Sequence, residues 1–177
     1  MTFNDWPWRH WRQRRGEALA LRLNNQPLTW RELCARVDAL ASGFAAQGVM
    51  EGQGVALRAY NQPETLLAWL ALLQCGARVL PLNPQLPPSL LAAVLPSLDL
   101  RYALALNGDP LALDFAPLAL QRAAGGWTLP WCEERLASMT LTSGSTGLPK
   151  AAVHSCRAHL ASAEGVLAMI PLASDDD

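Results

Sequence analysis

The chain has 177 residues, 51% of them hydrophobic and 16% charged, a globular composition long enough to bury a core and unlike that of a disordered segment. Its formal net charge of -1 gives no whole-chain reason to expect nucleic acid or an anionic membrane as partner. The four cysteines are widely spaced with no C-x-x-C pair, Met1 to Arg15 has no apolar leader, and the longest apolar run, Leu66 to Leu73, is far short of the ~20 residues that span a bilayer; a soluble cytoplasmic protein with reduced thiols is expected.

The opening WPWRHWRQRR alternates aromatic and basic residues, a pattern shared by nucleic-acid and membrane-surface arms. Trp8 and Trp11 stand at helical spacing, however, so a short amphipathic helix with packed indoles and solvated arginines is the expectation. Thr29-Trp30-Arg31-Glu32 has the form of a capping box, and Leu33, Val37, Leu40 and Phe44 follow at i, i+4, i+7 and i+11. These predict a helix from Trp30 to Gln47, closed by Gly48.

Gly54 to Tyr60 reads as a strand, Pro63 as the first turn of an apolar helix running to Cys75 with Gly76 as its stop, and Arg78 to Leu82 as the next strand. Asn83 to Pro88 is a proline-rich turn, Ser89 to Leu98 helical, and Tyr102 to Leu106 a third apolar strand. Asn107 to Glu134 reads as a loop holding one short strand or helix. Ser138 to Thr142 is a strand, and Ala152 to Met169 is expected to be mostly helical, interrupted at Gly165. The fold class is therefore α/β, with βαβ units and a largely parallel sheet flanked by helices and buried on both faces.

Between that last strand and helix lies Thr142-Ser143-Gly144-Ser145-Thr146-Gly147-Leu148-Pro149-Lys150. A hydroxyl-rich, Gly-containing turn between a strand and a helix can present several N–H and O–H donors to one anion. Gly144 and Gly147 permit close backbone approach, Ser143, Ser145 and Thr146 can donate to phosphate oxygens, and Lys150 adds charge. Thirteen of the 14 basic residues are arginines, and Lys150 is the sole lysine, a compact ammonium suited to a phosphate. The Walker A spacing fails, because Pro149 stands where its second glycine belongs and Ala151 where Ser or Thr would bind magnesium.

The run TSGSTGLPKA resembles the phosphate loop of the adenylate-forming enzymes, the superfamily of acyl-CoA synthetases, luciferases and nonribosomal peptide adenylation domains. It departs from that pattern only at Leu141, where an aromatic is common, and at Ala151, where glycine is usual. LTWREL from Leu28 and LLQCGARVLPLNPQLP from Leu72 resemble two further family segments in the right order. The whole chain, tryptophan-rich start included, is similar to the N-terminal portion of the o-succinylbenzoate-activating acid–CoA ligases of menaquinone synthesis.

The resemblance implies the incomplete N-terminal part of the adenylate-forming fold, with residues 1–177 belonging to an AMP-binding domain and no separate C-terminal domain. It implies ATP with Mg2+ as substrate, o-succinylbenzoate or another carboxylic acid as the group activated, and coenzyme A as acceptor. The site carried over is the ATP phosphate loop: Thr142, Ser143, Gly144, Ser145, Thr146, Gly147 and Lys150. No catalytic residue and no metal ligand of the family falls in these residues, so the chain alone is not expected to complete the reaction. A non-catalytic phosphate- or nucleotide-binding module is the alternative. A sheet without its later strands would leave an apolar edge through which copies could associate. His10, His154 and His159 lack metal spacing, and Cys156 reads as an inert thiol unless a helix N-terminus activates it.

Overall fold

The computed structural model describes residues 2–107, 115–142 and 149–170. The chain opens with helix α1 (Pro7–Arg15) and a two-stranded antiparallel hairpin, β1 (Leu19–Leu23) and β2 (Gln26–Thr29), followed by helix α2 (Trp30–Ala46). Strands β3 (Gly54–Arg58), β4 (Arg78–Leu82) and β5 (Tyr102–Ala105) alternate with helices α3 (Pro63–Gln74) and α4 (Pro88–Val94), the latter extended by a 3-10 turn at Leu95–Ser97. The two-residue strand β6 (Ala116–Pro117), the hairpin β7 (Leu136–Thr142) and β8 (Lys150–Ser155), and helix α5 (Cys156–Met169) complete the described elements.

Six strands form one sheet in the order β6-β5-β3-β4-β7-β8, parallel throughout except for the last pair. The largely parallel α/β sheet expected from the sequence is present. Val55 and Leu57 face a core shared with α2 and α3 through Val37, Phe44, Leu67 and Leu72. Ala56, Leu80 and Leu82 face a second core closed by Leu91 and Leu95 of the α4 region. Each fully buried Leu, Val or Phe in these layers contributes roughly 1.5–3 kcal/mol relative to exposure, which is why strands of this kind carry continuous apolar runs.

Local sequence chemistry sets the element ends. The Thr29 hydroxyl accepts from the Glu32 N–H at 3.3 Å while the Glu32 carboxylate accepts from the Thr29 N–H at 2.9 Å, the reciprocal capping box that starts α2. Gly48 and Gly76 end α2 and α3 at φ +93 and +78, a region costly for any residue with a Cβ.

Four expectations need correction. The β1–β2 hairpin was not foreseen; its turn is Asn24-Asn25 at φ 49 and 63, the left-handed pair that a tight two-residue hairpin requires. The α1 arginines are not all in water, because Arg9 and Arg12 reach Asp38 of α2 at 2.8 and 3.4 Å. α5 runs through Gly165 without a break. The fourth, the start of α5, reshapes the site.

The tryptophan-rich start is built in. Trp6 and Trp8 are buried and stacked at 5.1 Å, and Trp131 meets Trp6 edge-on at 5.0 Å. The Trp8 indole N–H donates to Gln74 Oε1 at 3.0 Å, and the Gln74 amide donates onward to Asp38 and to the Trp127 carbonyl. One buried amide thus ties α1, α2, α3 and the 125–131 segment together.

Candidate phosphate-loop site

The residues that border the 143–148 segment are the two ends of the β7–β8 hairpin. Antiparallel pairing runs from Ser138↔His154 to Thr142↔Lys150, and the Thr142 hydroxyl donates to the Lys150 carbonyl at 3.1 Å. Ser143, Gly144, Ser145, Thr146 and Gly147 lie outside the described residues. Thr142 and Lys150, eight positions apart in sequence, are brought together; both are exposed at the top of the stem.

Residues after Lys150 continue as strand β8 and enter a helix only at Cys156, so the strand–turn–helix reading is overturned. Alanine favours helix locally, but the ladder to β7 pairs one side of the 150–155 backbone and overrides that weak preference. The helix start is instead set by Ser155, whose hydroxyl accepts from the Ala158 N–H at 3.2 Å. At about 3.4 Å per residue the N-terminus of α5 stands roughly 17 Å down the strand from Lys150, too far for its dipole to act on an anion at the loop.

The stem stands at the C-terminal end of β7, the same end at which the parallel strands β3, β4 and β5 finish. In open α/β sheets this is the edge where ligands bind. A cleft of about 410 Å³ opens there, lined by Leu86, Leu90, Thr140, Thr142 and Pro149. Its turn wall is held by Arg58 at the end of β3, which donates to the Pro84 carbonyl at 2.7 Å. Sequence reading did not single out Arg58; its only signal was a charge closing an apolar strand.

Behind the stem, the buried Ser138 hydroxyl lies 2.8 Å from His159 Nε2, linking β7 to α5, and the His154 ring is 5.9 Å from that of His159. Burial, and then the neighbouring His154, hold His159 below the ordinary histidine value of 6.5, so the neutral ring is favoured. Cys156 is the first residue of α5, but burial pushes its thiol up to about 11, and it is the inert thiol expected. Among the described residues no three His, Cys, Asp or Glu side chains converge as a metal site, and no helix is long and apolar enough to cross a membrane.

Known proteins share this arrangement. The chain is 63% identical over all 177 residues to the 2-succinylbenzoate–CoA ligase of Salmonella typhimurium and 64% identical to that of Escherichia coli, and it spans 39% of the length of each. Wild-type Escherichia coli MenE with a bound phenylether-linked analogue of OSB-AMS superposes with a TM-score of 0.93 at 62% identity, covering 99% of this chain and 39% of that one. The family profile described as "AMP-binding enzyme" matches residues 8–177. With a fold and a sequence shared across nearly its whole length, the chain belongs to the AMP-binding enzyme family.

Proposed function

We propose that residues 1–177 are the N-terminal part of the AMP-binding domain of an ATP-dependent acid–CoA ligase whose acid is o-succinylbenzoate. The observation that carries this reading is the 63–64% identity over the full chain to 2-succinylbenzoate–CoA ligases, joined to an almost complete phosphate-loop motif at the ligand edge of the sheet. In such a ligase a carboxylate oxygen attacks the α-phosphorus of Mg-ATP and the bond to pyrophosphate breaks. The thiol sulfur of coenzyme A then displaces AMP from the acyl carbon.

This chain's share is the first half. Thr142, Ser143, Ser145 and Thr146, with the N–H groups of the turn at Gly144 and Gly147, hold the β- and γ-phosphates, and the Lys150 ammonium offsets charge on the departing pyrophosphate. These donors act by positioning and electrostatic stabilisation. Magnesium enters with ATP, as part of the substrate. Four unpaired cysteines suit the cytoplasm, and the open edge of β8, with exposed Val166, Leu167 and Met169 on α5, supports association of isolated chains.

Calorimetric titration of the chain with ATP, tripolyphosphate and AMP tests the assignment. The loop grips phosphates, so ATP and tripolyphosphate bind comparably, AMP binds much more weakly, and Lys150→Ala costs roughly tenfold in ATP affinity. Equal affinity for AMP and ATP, or an unchanged ATP affinity in Lys150→Ala, would sink it.

A further inference from the structure

A cavity of about 620 Å³ lies between the β1–β2 hairpin, α2, α3 and the strip around Leu120, and no residue lining it also lines the cleft at the β7–β8 stem. Its size is that of small-molecule sites, and its floor is Leu23, Leu40 and Leu67, of which Leu40 and Leu67 are core residues held in place by their own packing. Two arginines line it, Arg36 and Arg122, against one glutamate, Glu64, all three exposed at its mouth. A recess of about 230 Å³ continues from it through Leu23, Asn24 and Pro63 and adds Arg22.

These three arginines differ from most others in the chain. Arg9, Arg12, Arg31, Arg78, Arg135 and Arg157 each meet a carboxylate within 4 Å, whereas Arg22, Arg36 and Arg122 form no ion pair with a described carboxylate. Glu32, one turn from Arg36, is hydrogen-bonded at the α2 cap and feels the Arg36 charge only as its smallest influence.

The walls are also fixed in advance. The strip carrying Leu120 and Arg122 is pinned to α2 by Ala119 N–H to Gln47 Oε1 at 2.8 Å, Gln47 Nε2 to the Ala119 carbonyl at 3.0 Å, and Ala123 N–H to the Ala39 carbonyl at 3.0 Å. Gly43 admits the Gln121 carbonyl where any side chain would stand. The opposite wall is the tight Asn24-Asn25 turn. A ligand entering here would have little wall to order.

We propose that this cavity is a binding site for an amphiphilic organic anion, a carboxylate or phosphate head on a flat apolar body, with the head between Arg36 and Arg122 and the body on the leucine floor. Guanidinium forks match both head groups bidentately, and the apolar floor supplies the area that a bare ion lacks. The inference does not depend on the proposed ligase activity.

The test is titration of the 177-residue chain with 1-naphthoate, 1-naphthyl phosphate, neutral 1-naphthalenemethanol and inorganic phosphate, read by leucine methyl NMR. Saturable shifts of the Leu23, Leu40 and Leu67 methyls are expected with both aromatic anions, and the tighter of the two identifies the head group. The neutral alcohol and inorganic phosphate should bind roughly tenfold more weakly. Arg36→Glu with Arg122→Glu should weaken naphthoate by a similar factor. Glu64→Gln, an exposed change in the first turn of α3, should tighten it about twofold to threefold. Equal binding of the neutral alcohol, indifference to both charge changes, shifts confined to the α5 leucines, or no saturation up to about 10 mM ligand would overturn the proposal.

Discussion

Replacing Gln74 by leucine separates hydrogen bonding from size at the point where four parts of the chain meet. Gln74 is fully buried; its carbonyl accepts from the Trp8 indole at 3.0 Å, and its amide donates to Asp38 at 2.8 Å and to the Trp127 carbonyl at 2.7 Å. Leucine has similar volume but none of these groups. The Trp8 N–H would lose its partner in a buried site and the Trp127 carbonyl would lose one on an exposed residue, at about 1–3 kcal/mol apiece with the carbonyl at the low end. Asp38 keeps Arg9 and Arg12, so its charge stays paired. Against this, a buried leucine side chain gains roughly 1.5–3 kcal/mol over the exposed state. With about 2–3 kcal/mol for the buried N–H, about 1 for the carbonyl and about 2 returned by the leucine, the net is a loss of about 1–2 kcal/mol, and a chain of this size loses about 2–4 °C in Tm per kcal/mol. Urea denaturation followed by tryptophan fluorescence should show a lower midpoint with an unchanged slope. Gln74→Glu should be worse, because it sets a second carboxylate against Asp38. A leucine variant as stable as the parent would refute the reasoning, since burial would then outweigh the orphaned groups.

Other outcomes follow from the same physics. Burial pushes the thiols of Cys34 and Cys75 up to about 11 and 12, and that of Cys156 up to about 11, while Cys132 is exposed; iodoacetamide at mildly alkaline pH should label Cys132 alone until the chain is unfolded. Fast native labelling of Cys156 would contradict its placement. His159 is held below 6.5 by burial and by His154, so the folded state binds a proton less readily than the unfolded one. Stability is therefore fully present above pH 6.5 and declines on acidification through the depressed value, and a His159→Gln variant should lose that part of the pH dependence. Gly43→Ala would force the Gln121 carbonyl outward, with an expected cost of about 1–3 kcal/mol by thermal melting.

Legibility in the sequence followed how local each signal was. The α2 start was readable because both halves of its capping box lie within four residues, and Gly48 and Gly76 marked helix ends that only a left-handed residue makes easily. The parallel core was readable because β3 and β5 are buried on both faces and so lack polar alternation. β8 was missed because Ala151, Ala152 and His154 carry no strand preference of their own; its conformation comes from a ladder to residues 8 to 19 positions earlier. The Asn24-Asn25 turn is a local hairpin signal, since asparagine tolerates the left-handed region that both positions occupy. At the site, Thr142 and Lys150 were identified by motif, whereas the Ser138–His159 and Arg58–Pro84 bonds join residues 21 and 26 apart and leave no periodicity to read.

The most direct measurement of the ligase assignment is ATP–pyrophosphate exchange by a chimera in which residues 1–177 replace the matched segment of the Escherichia coli 2-succinylbenzoate–CoA ligase. The expected result is exchange that depends on o-succinylbenzoate and falls on the order of 100-fold in Lys150→Ala, the loss typical of removing one preorganised electrostatic donor. A folded chimera that performs no exchange, or one indifferent to Lys150→Ala, would contradict it.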